Sequence, residues 1–320
     1  MNIAMIGAGG VGAFYGARWA QGGNRVVYVA RGRQLQALQT RGLTVIHPEA
    51  AFEGAVEAID LAALCAMEAS DFDLIAIATK SGATEEIAAQ LQRWFARCGH
   101  RVPVLSLQNG VDNEPMLASA LGADCVIGGI SLRIGAHVDA PGMISATGPG
   151  QLVTGLWPNA ADALDGPAAA VFPELVRVSE QSGTPVIQTD DIRRELWRKL
   201  AINNSVNPIS ALTGWDTGRL SHTKETAAMI RRLMRETAAA ARADHVQLGE
   251  EDVRGMFQLI YDLEPIKTSM LVDREHGRPL ELDAICGAVL SRAAQLGEDV
   301  PATEMMDGLL RNGIWAGSQQ

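Results

Sequence analysis

Asn2-Ile3-Ala4-Met5-Ile6-Gly7-Ala8-Gly9-Gly10-Val11-Gly12 opens the chain as a short apolar strand running into a G-x-G-x-x-G turn, followed by a helix-like stretch from Ala13 to Gln21. In that order, strand, glycine turn and helix form the setting in which a dinucleotide pyrophosphate binds. Gly7 permits the tight turn, Gly9 lets the backbone approach phosphates, and Gly12 allows close packing of helix on strand. The unpaired N–H groups of the helix start favour an anion. Gly10 and Val11 complete the loop and are expected cofactor contacts with the other three. A second strand, Arg25 to Val29, follows at the distance a βαβ unit requires.

The end of that second strand bears on the cofactor. Proteins of this type that bind NAD usually carry an acid there for the ribose 2′-hydroxyl, whereas an arginine suits a 2′-phosphate. This chain has Arg31, then Arg33, and no acid. A guanidinium can pair bidentately with the extra phosphate, so NADP is the expected cofactor; solvated loop charges are the bland alternative.

The chain as a whole has an ordinary globular composition. The chain has 320 residues, 47% hydrophobic and 20% charged, which allows two domains and a sizeable core. A net charge of -10 argues against nonspecific binding to nucleic acid or anionic membranes. Cys65, Cys98, Cys125 and Cys286 are scattered, with no C-x-x-C pair and no histidine cluster, so neither a metal site nor a disulfide framework is expected. The glycine turn begins too near Met1 for a cleaved signal peptide, and no apolar run approaches the ~20 residues of a membrane span. A cytoplasmic protein is expected.

Strand-like runs continue at Asp73 to Ala78, Pro103 to Leu107, Asp124 to Gly128 and Val186-Ile187, alternating with helical stretches. Two short strands between Gly42 and Ala58 and a β-rich excursion from Ile130 to Thr154 interrupt them. This is the signature of a doubly wound, mostly parallel sheet over residues 1–190. From 191 to 320 helical patterns take over: Ile192 to Leu212, Glu225 to His245, Glu251 to Leu259, Glu281 to Leu296 and Ala302 to Leu310. The fold class is therefore α/β, a Rossmann-type domain followed by an all-helical domain.

Several polar residues stand out against this pattern. Lys80 and Asn109 each lie just beyond an apolar strand, on the side where open parallel sheets bind ligands. Lys199, Asn203 and Asn207 are spaced i, i+4 and i+8, one stripe of a helix. Asparagine is a poor helix former, so two on one stripe carry a cost, and Pro208 is expected to end or kink the helix there. Lys267 to Asp273 reads as a turn or helix start, and Glu281 with Asp283 as acids of a helix first turn.

Taken in order, these segments resemble the ketopantoate reductase family over nearly the whole chain: the glycine motif, Lys80, Leu107-Gln108-Asn109-Gly110, Glu195 to Leu200 with its asparagines, Thr268-Ser269-Met270, and Gly277-Arg278 to Asp283. The resemblance implies NADPH-dependent reduction of 2-dehydropantoate to (R)-pantoate, on the route to pantothenate and coenzyme A. It assigns the catalytic lysine to Lys199 and the catalytic glutamate to Glu281. Asn203, Asn207 and Ser269 match substrate-binding residues, Asn109 matches the nicotinamide-side asparagine, and Lys80 and Arg31 match cofactor contacts. Two positions depart from the family pattern: Leu280 stands where many members have threonine, and the loop at Thr217-Gly218 lacks an asparagine some members use.

The implied partner is a small 2-keto acid, with a homodimer as the candidate assembly. Two other classes stay open at this point. One is a related reductase of another 2-keto acid or a β-hydroxyacid or glycerol-phosphate type dehydrogenase; the other is a non-catalytic NADP-binding sensor, which would not need both Lys199 and Glu281.

Overall fold

The opening strand, β1 (Asn2–Ile6), sits inside a sheet with Ile3, Ala4 and Met5 fully buried. Burial on both faces is what a parallel strand covered by helices requires, which is why the run shows no polar alternation. The computed structural model describes residues 1–315 and Gly317. The chain divides into two compact units: Met1–Gln108 with Asn113–Ile192, and Asn109–Asp112 with the chain from Arg193 onward. The break between them falls at Ile192–Arg193, and a four-residue excursion, Asn109–Asp112, groups with the second unit.

In the first unit β1 is followed by α1 (Gly10–Gln21), β2 (Arg25–Val29), α2 (Gly32–Arg41), β3 (Leu43–Ile46), β4 (Phe52–Gly54) and β5 (Glu57–Ile59). Then come α3 (Leu61–Ala66), β6 (Leu74–Ile77), α4 (Thr84–Cys98), β7 (Val104–Ser106) and α5 (Asn113–Leu121). The unit ends with β8 (Val126–Leu132), β9 (Gly135–Ala140), β10 (Met143–Thr147), β11 (Gln151–Leu156), α6 (Pro167–Gln181) and β12 (Val186–Gln188).

Eight strands form the main sheet in the order β12-β11-β8-β7-β6-β1-β2-β5. It is parallel from β5 to β8, in register Ile3 with Val26 on one side and Ile3 with Leu74 on the other. At the far edge β11 runs antiparallel to β8, so the sheet is mixed there. An antiparallel neighbour needs no helical crossover, and none separates β8 from β11. The β-rich stretches supply a second sheet, β4-β3-β10-β9, in which β3 pairs parallel with β10. Strand order reverses at β1, with β2 to one side and β6 to the other, which places the ligand-binding switch point beyond the carboxyl ends of β1 and β6.

The second unit contains α7 (Ile192–Thr213), α8 (Thr217–His222), α9 (Lys224–Ala240), α10 (Glu250–Tyr261), α11 (Ser269–Glu275), α12 (Ala288–Leu296) and α13 (Pro301–Arg311). The expected helix to His245 instead closes with a 3₁₀ turn at Ala241–Asp244. The expected helix from Glu281 begins later: a π turn at Asp283–Gly287 precedes α12, and Glu281 lies outside it. Helix α7 does not stop near Asn207 but passes through Pro208. Residues Ser205, Val206, Asn207, Ile209 and Ser210 are all buried, and that packing outweighs the roughly 3 kcal/mol cost of an interior proline.

A buried polar knot holds α7 in place. Asn204, fully buried, donates from Nδ2 to the Thr237 hydroxyl on α9 at 3.0 Å and to the Thr303 hydroxyl on α13 at 3.2 Å. Glu236 in turn accepts from the Ala302 and Thr303 N–H groups, satisfying donors at the start of α13. Asn204→Ala is expected to lower the stability of the folded chain by about 1–3 kcal/mol, measured by urea unfolding, because both threonine hydroxyls lose a buried partner.

Candidate active site

The glycine loop after β1 is built for close approach. Gly7 has φ +100°, open to glycine but strained for other residues, and a Cβ there would lie 2.8 Å from the Thr79 N and the Ala78 carbonyl carbon beyond β6. A Cβ on Gly12 would come within 2.0 Å of the Gly7 oxygen, so the helix can pack this tightly only without a side chain. At Gly9, in contrast, a Cβ would meet nothing within 4 Å. Gly9 is the N-cap of α1 and offers no side-chain cap, leaving the first N–H groups directed past an open backbone. This arrangement fits a dinucleotide pyrophosphate. Gly10 has a reason of its own to lack a side chain: its Cβ would fall 2.4 Å from the Ala136 oxygen of β9.

Gln34, which sequence reading passed over, braces this loop. Its Nε2 donates to the Ala8 oxygen at 2.8 Å, and its Oε1 accepts from the Gly142 N–H at 3.0 Å. Arg31 and Arg33 are exposed at the start of α2, where Arg31 is the N-cap. Lys80, also exposed, follows β6 and caps the turn Ser81–Ala83. Val11 lies half-buried in the first turn of α1.

A second set of missed residues bolts together the loops after β6 and β7. Gln108 donates to the Thr79 oxygen at 3.1 Å and to the Thr84 hydroxyl at 2.9 Å, and that hydroxyl donates to Asn113 Oδ1 at 2.8 Å. Gln108, Thr84 and Asn113 are all buried. Gln108 stood in the Leu107-Gln108-Asn109-Gly110 segment of the family resemblance, while Thr84 and Asn113, each four residues beyond Lys80 and Asn109, carried no signal of their own.

Asn109, Lys199, Asn203, Asn207, Ser269 and Glu281 all belong to the second unit. The stripe on α7 is not a surface feature: Asn203 and Asn207 are each only 6% exposed, and Leu196, Trp197, Leu200 and Ala201 around them are buried. Asn203 Nδ2 donates to Asn109 Oδ1 at 3.3 Å, so two residues far apart in sequence meet. Lys199 keeps some surface exposure, yet burial in protein pushes its ammonium down from the ordinary lysine range to about 8. Ser269 is exposed at the head of α11, one residue after its cap Thr268, whose hydroxyl accepts from the Leu271 N–H. Glu281 is half-buried just ahead of the π turn, and such turns recur at functional sites. Asp283, read beside it as a first-turn acid, is exposed and pairs with Arg311 at 2.6 Å.

Among the described residues no group of three or more His, Cys, Asp or Glu could hold a metal ion, and no helix is long and apolar enough to cross a membrane. The family model "Ketopantoate reductase PanE/ApbA" matches residues 3–159, and "Ketopantoate reductase PanE/ApbA C terminal" matches residues 191–313. The chain is 31% identical to a 2-dehydropantoate 2-reductase of Mesorhizobium japonicum, covering 97% of each. The crystal structure of 2-dehydropantoate 2-reductase from Geobacter metallireducens superposes with a TM-score of 0.84 at 28% identity, covering 98% of this chain and 100% of that one. A D-mandelate dehydrogenase solved with NADH and anilino(oxo)acetate shares the fold, with a TM-score of 0.85 at 22% identity over 98% of each chain.

Proposed function

The chain belongs to the ketopantoate reductase family, and from that premise we propose the cofactor and the residues with which it works. It is an oxidoreductase using a nicotinamide cofactor, and its reaction is reduction of 2-dehydropantoate to pantoate, a step toward pantothenate. The finer reading is that the cofactor is NADPH, the product (R)-pantoate and the location cytoplasmic.

The observation that carries the reading is the stripe on α7 of Lys199, partly exposed with its pKa lowered by burial, and the buried Asn203 and Asn207. Buried asparagines are kept on a helix only at a cost, and a site for a polar ligand accounts for them. Bound NADPH supplies the hydride that reaches the ketone carbon. Charge then grows on the carbonyl oxygen; the Lys199 ammonium stabilises it and hands over the proton that completes the alcohol. Asn203, Asn207 and Ser269 supply hydrogen bonds to the keto acid, and Glu281 orients its hydroxyl or the lysine. Asn109 meets the nicotinamide side, while Gly7, Gly9, Gly10, Val11, Gly12 and Lys80 hold the remainder of the cofactor.

Arg31 supports NADPH over NADH, since a guanidinium at this position can pair with the 2′-phosphate. Arg31→Ala is expected to raise KM for NADPH at least about tenfold while leaving KM for NADH within about twofold. Equal change for both cofactors would remove Arg31 from the phosphate site. The half-buried Leu280, apolar where many family members carry threonine, favours a different 2-keto acid as the second reading. Steady-state oxidation of NADPH with 2-dehydropantoate, 2-oxoisovalerate and pyruvate separates the two. A preference for 2-dehydropantoate upholds the first reading; turnover of another keto acid alone moves the enzyme to that substrate, and none with any leaves a binding protein.

A further inference from the structure

We propose that Arg292 is a positioning residue for the reductase reaction, acting through Asp112 to hold Asn109 against the polar stripe of α7. The inference rests on the reading that Asn109 meets the nicotinamide.

The excursion Asn109–Asp112 is four residues long and belongs to the helical unit. Gly110 has φ +104°, a left-handed conformation that lets the segment turn on itself. Its two ends reach different helices: Asn109 bonds Asn203 on α7, and Asp112 Oδ1 receives Arg292 Nη2 of α12 at 2.5 Å. The first contact, at 3.3 Å between neutral amides, is the weaker. The second is charge-assisted, on a guanidinium only 14% exposed, and is the firmer anchor.

The same guanidinium also points Nε at Asp244 Oδ1, 3.3 Å away in the 3₁₀ turn after α9. Arg292 thus ties the segment to two parts of the helical unit at once. A planar fork with two directed donors can do this; a lysine, a point charge on a flexible stem, does so less well. The Arg292–Asp112 pair adds a charge-assisted anchor at one end of the segment to the Asn109–Asn203 amide bond at the other. A misplacement of about 1 Å at a group that orients a reactant can cost up to about a hundredfold in rate.

The test uses the full-length enzyme with Arg292→Met, Arg292→Lys, Asp112→Asn and Asp244→Asn. Amide hydrogen exchange across residues 109–112 is expected to quicken in Arg292→Met and Asp112→Asn, with α7 unchanged. In both, kcat should fall at least about tenfold, while the dissociation constant for NADPH stays within about twofold. Arg292→Lys should recover part of the loss, and Asp244→Asn, which weakens only the longer 3.3 Å contact, should cost less than Asp112→Asn. In an Asn109→Ala background, Arg292→Met should cost less than about a further twofold, since both changes act on one group.

Unaltered exchange at 109–112 overturns the proposal, and so does the same kcat loss in both backgrounds, which would mark a merely structural brace. An equal effect from Asp244→Asn would also overturn it. If the wild type reduces no keto acid, the reductase reading falls, and the exchange measurement still decides whether Arg292 holds the segment. Should Arg292→Met not fold, Asp112→Asn, near-isosteric and half-exposed, gives the same comparison.

Discussion

Lys199→Met is expected to lower kcat by at least about a hundredfold, leave NADPH affinity nearly intact and raise the melting temperature at pH 7. The first effect follows from removing the proposed acid, the last from the environment that holds it. Burial lowers the Lys199 pKa from 10.5 to about 8, a shift that corresponds to roughly 3 kcal/mol spent on keeping the ammonium inside at neutral pH. Methionine removes that cost while filling similar space.

The pH dependence has a definite sign. Below about pH 8 folded and unfolded chains both carry the proton, and the burial cost is present in full. Between about 8 and 10.5 the folded chain holds the neutral amine while the unfolded chain stays charged, so the wild type gains stability as pH rises. The stabilisation by Lys199→Met should therefore shrink between pH 7 and pH 10. Meanwhile kcat/KM of the wild type should be level below pH 8 and fall above it, as the acid is lost. Circular-dichroism melts at the two pH values and a kcat/KM profile check both limbs; a wild-type rate that climbs through pH 8 would rule out the ammonium as the acid.

Alanine at two glycines of the same loop should separate folding from cofactor binding. Gly12→Ala drives a methyl to 2.0 Å from the Gly7 oxygen, backbone against backbone, and α1 must shift away from β1. Overpacking of this kind costs about 1–3 kcal/mol or more, and dinucleotide binding should be lost with it. Gly9→Ala adds a methyl where no protein atom lies within 4 Å, so the melting temperature should not move. The methyl would occupy the path of the phosphates, and NADPH affinity is expected to fall at least about a hundredfold, measured by fluorescence titration. Unchanged affinity in a stable Gly9→Ala protein would place the pyrophosphate elsewhere.

What was legible in the sequence was local. The β1 run and its glycine turn announced themselves because a buried parallel strand is uniformly apolar and the turn needs glycines at fixed spacing. The stripe on α7 followed from helical period alone, although period could not say that Asn203 and Asn207 are buried or that Lys199 loses most of its hydration. The helical pattern from Ile192 to Leu212 already crossed Pro208, but local propensity argued for an end or kink at the proline, and tertiary packing overruled the stop. The second sheet was hidden too: β3 pairs with β10 across a long stretch of chain, and no short window contains both. Asp112 and Arg292 are 180 residues apart and carry no local signal; only the fold puts them in contact.

The excursion at Asn109–Asp112 also limits how this chain can be inherited. A recombination event joining a foreign dinucleotide-binding half to this one at Ile192–Arg193 would carry over every helix from α8 onward and most of α7. It would leave behind the segment whose two ends, Asn109 and Asp112, meet Asn203 and Arg292. The hybrid would work only if the incoming half already encoded a compatible tetrapeptide after its own β7. Selection on the loop after β7 is thereby coupled to selection on α7 and α12, so the two halves are expected to diversify as one lineage rather than as exchangeable modules.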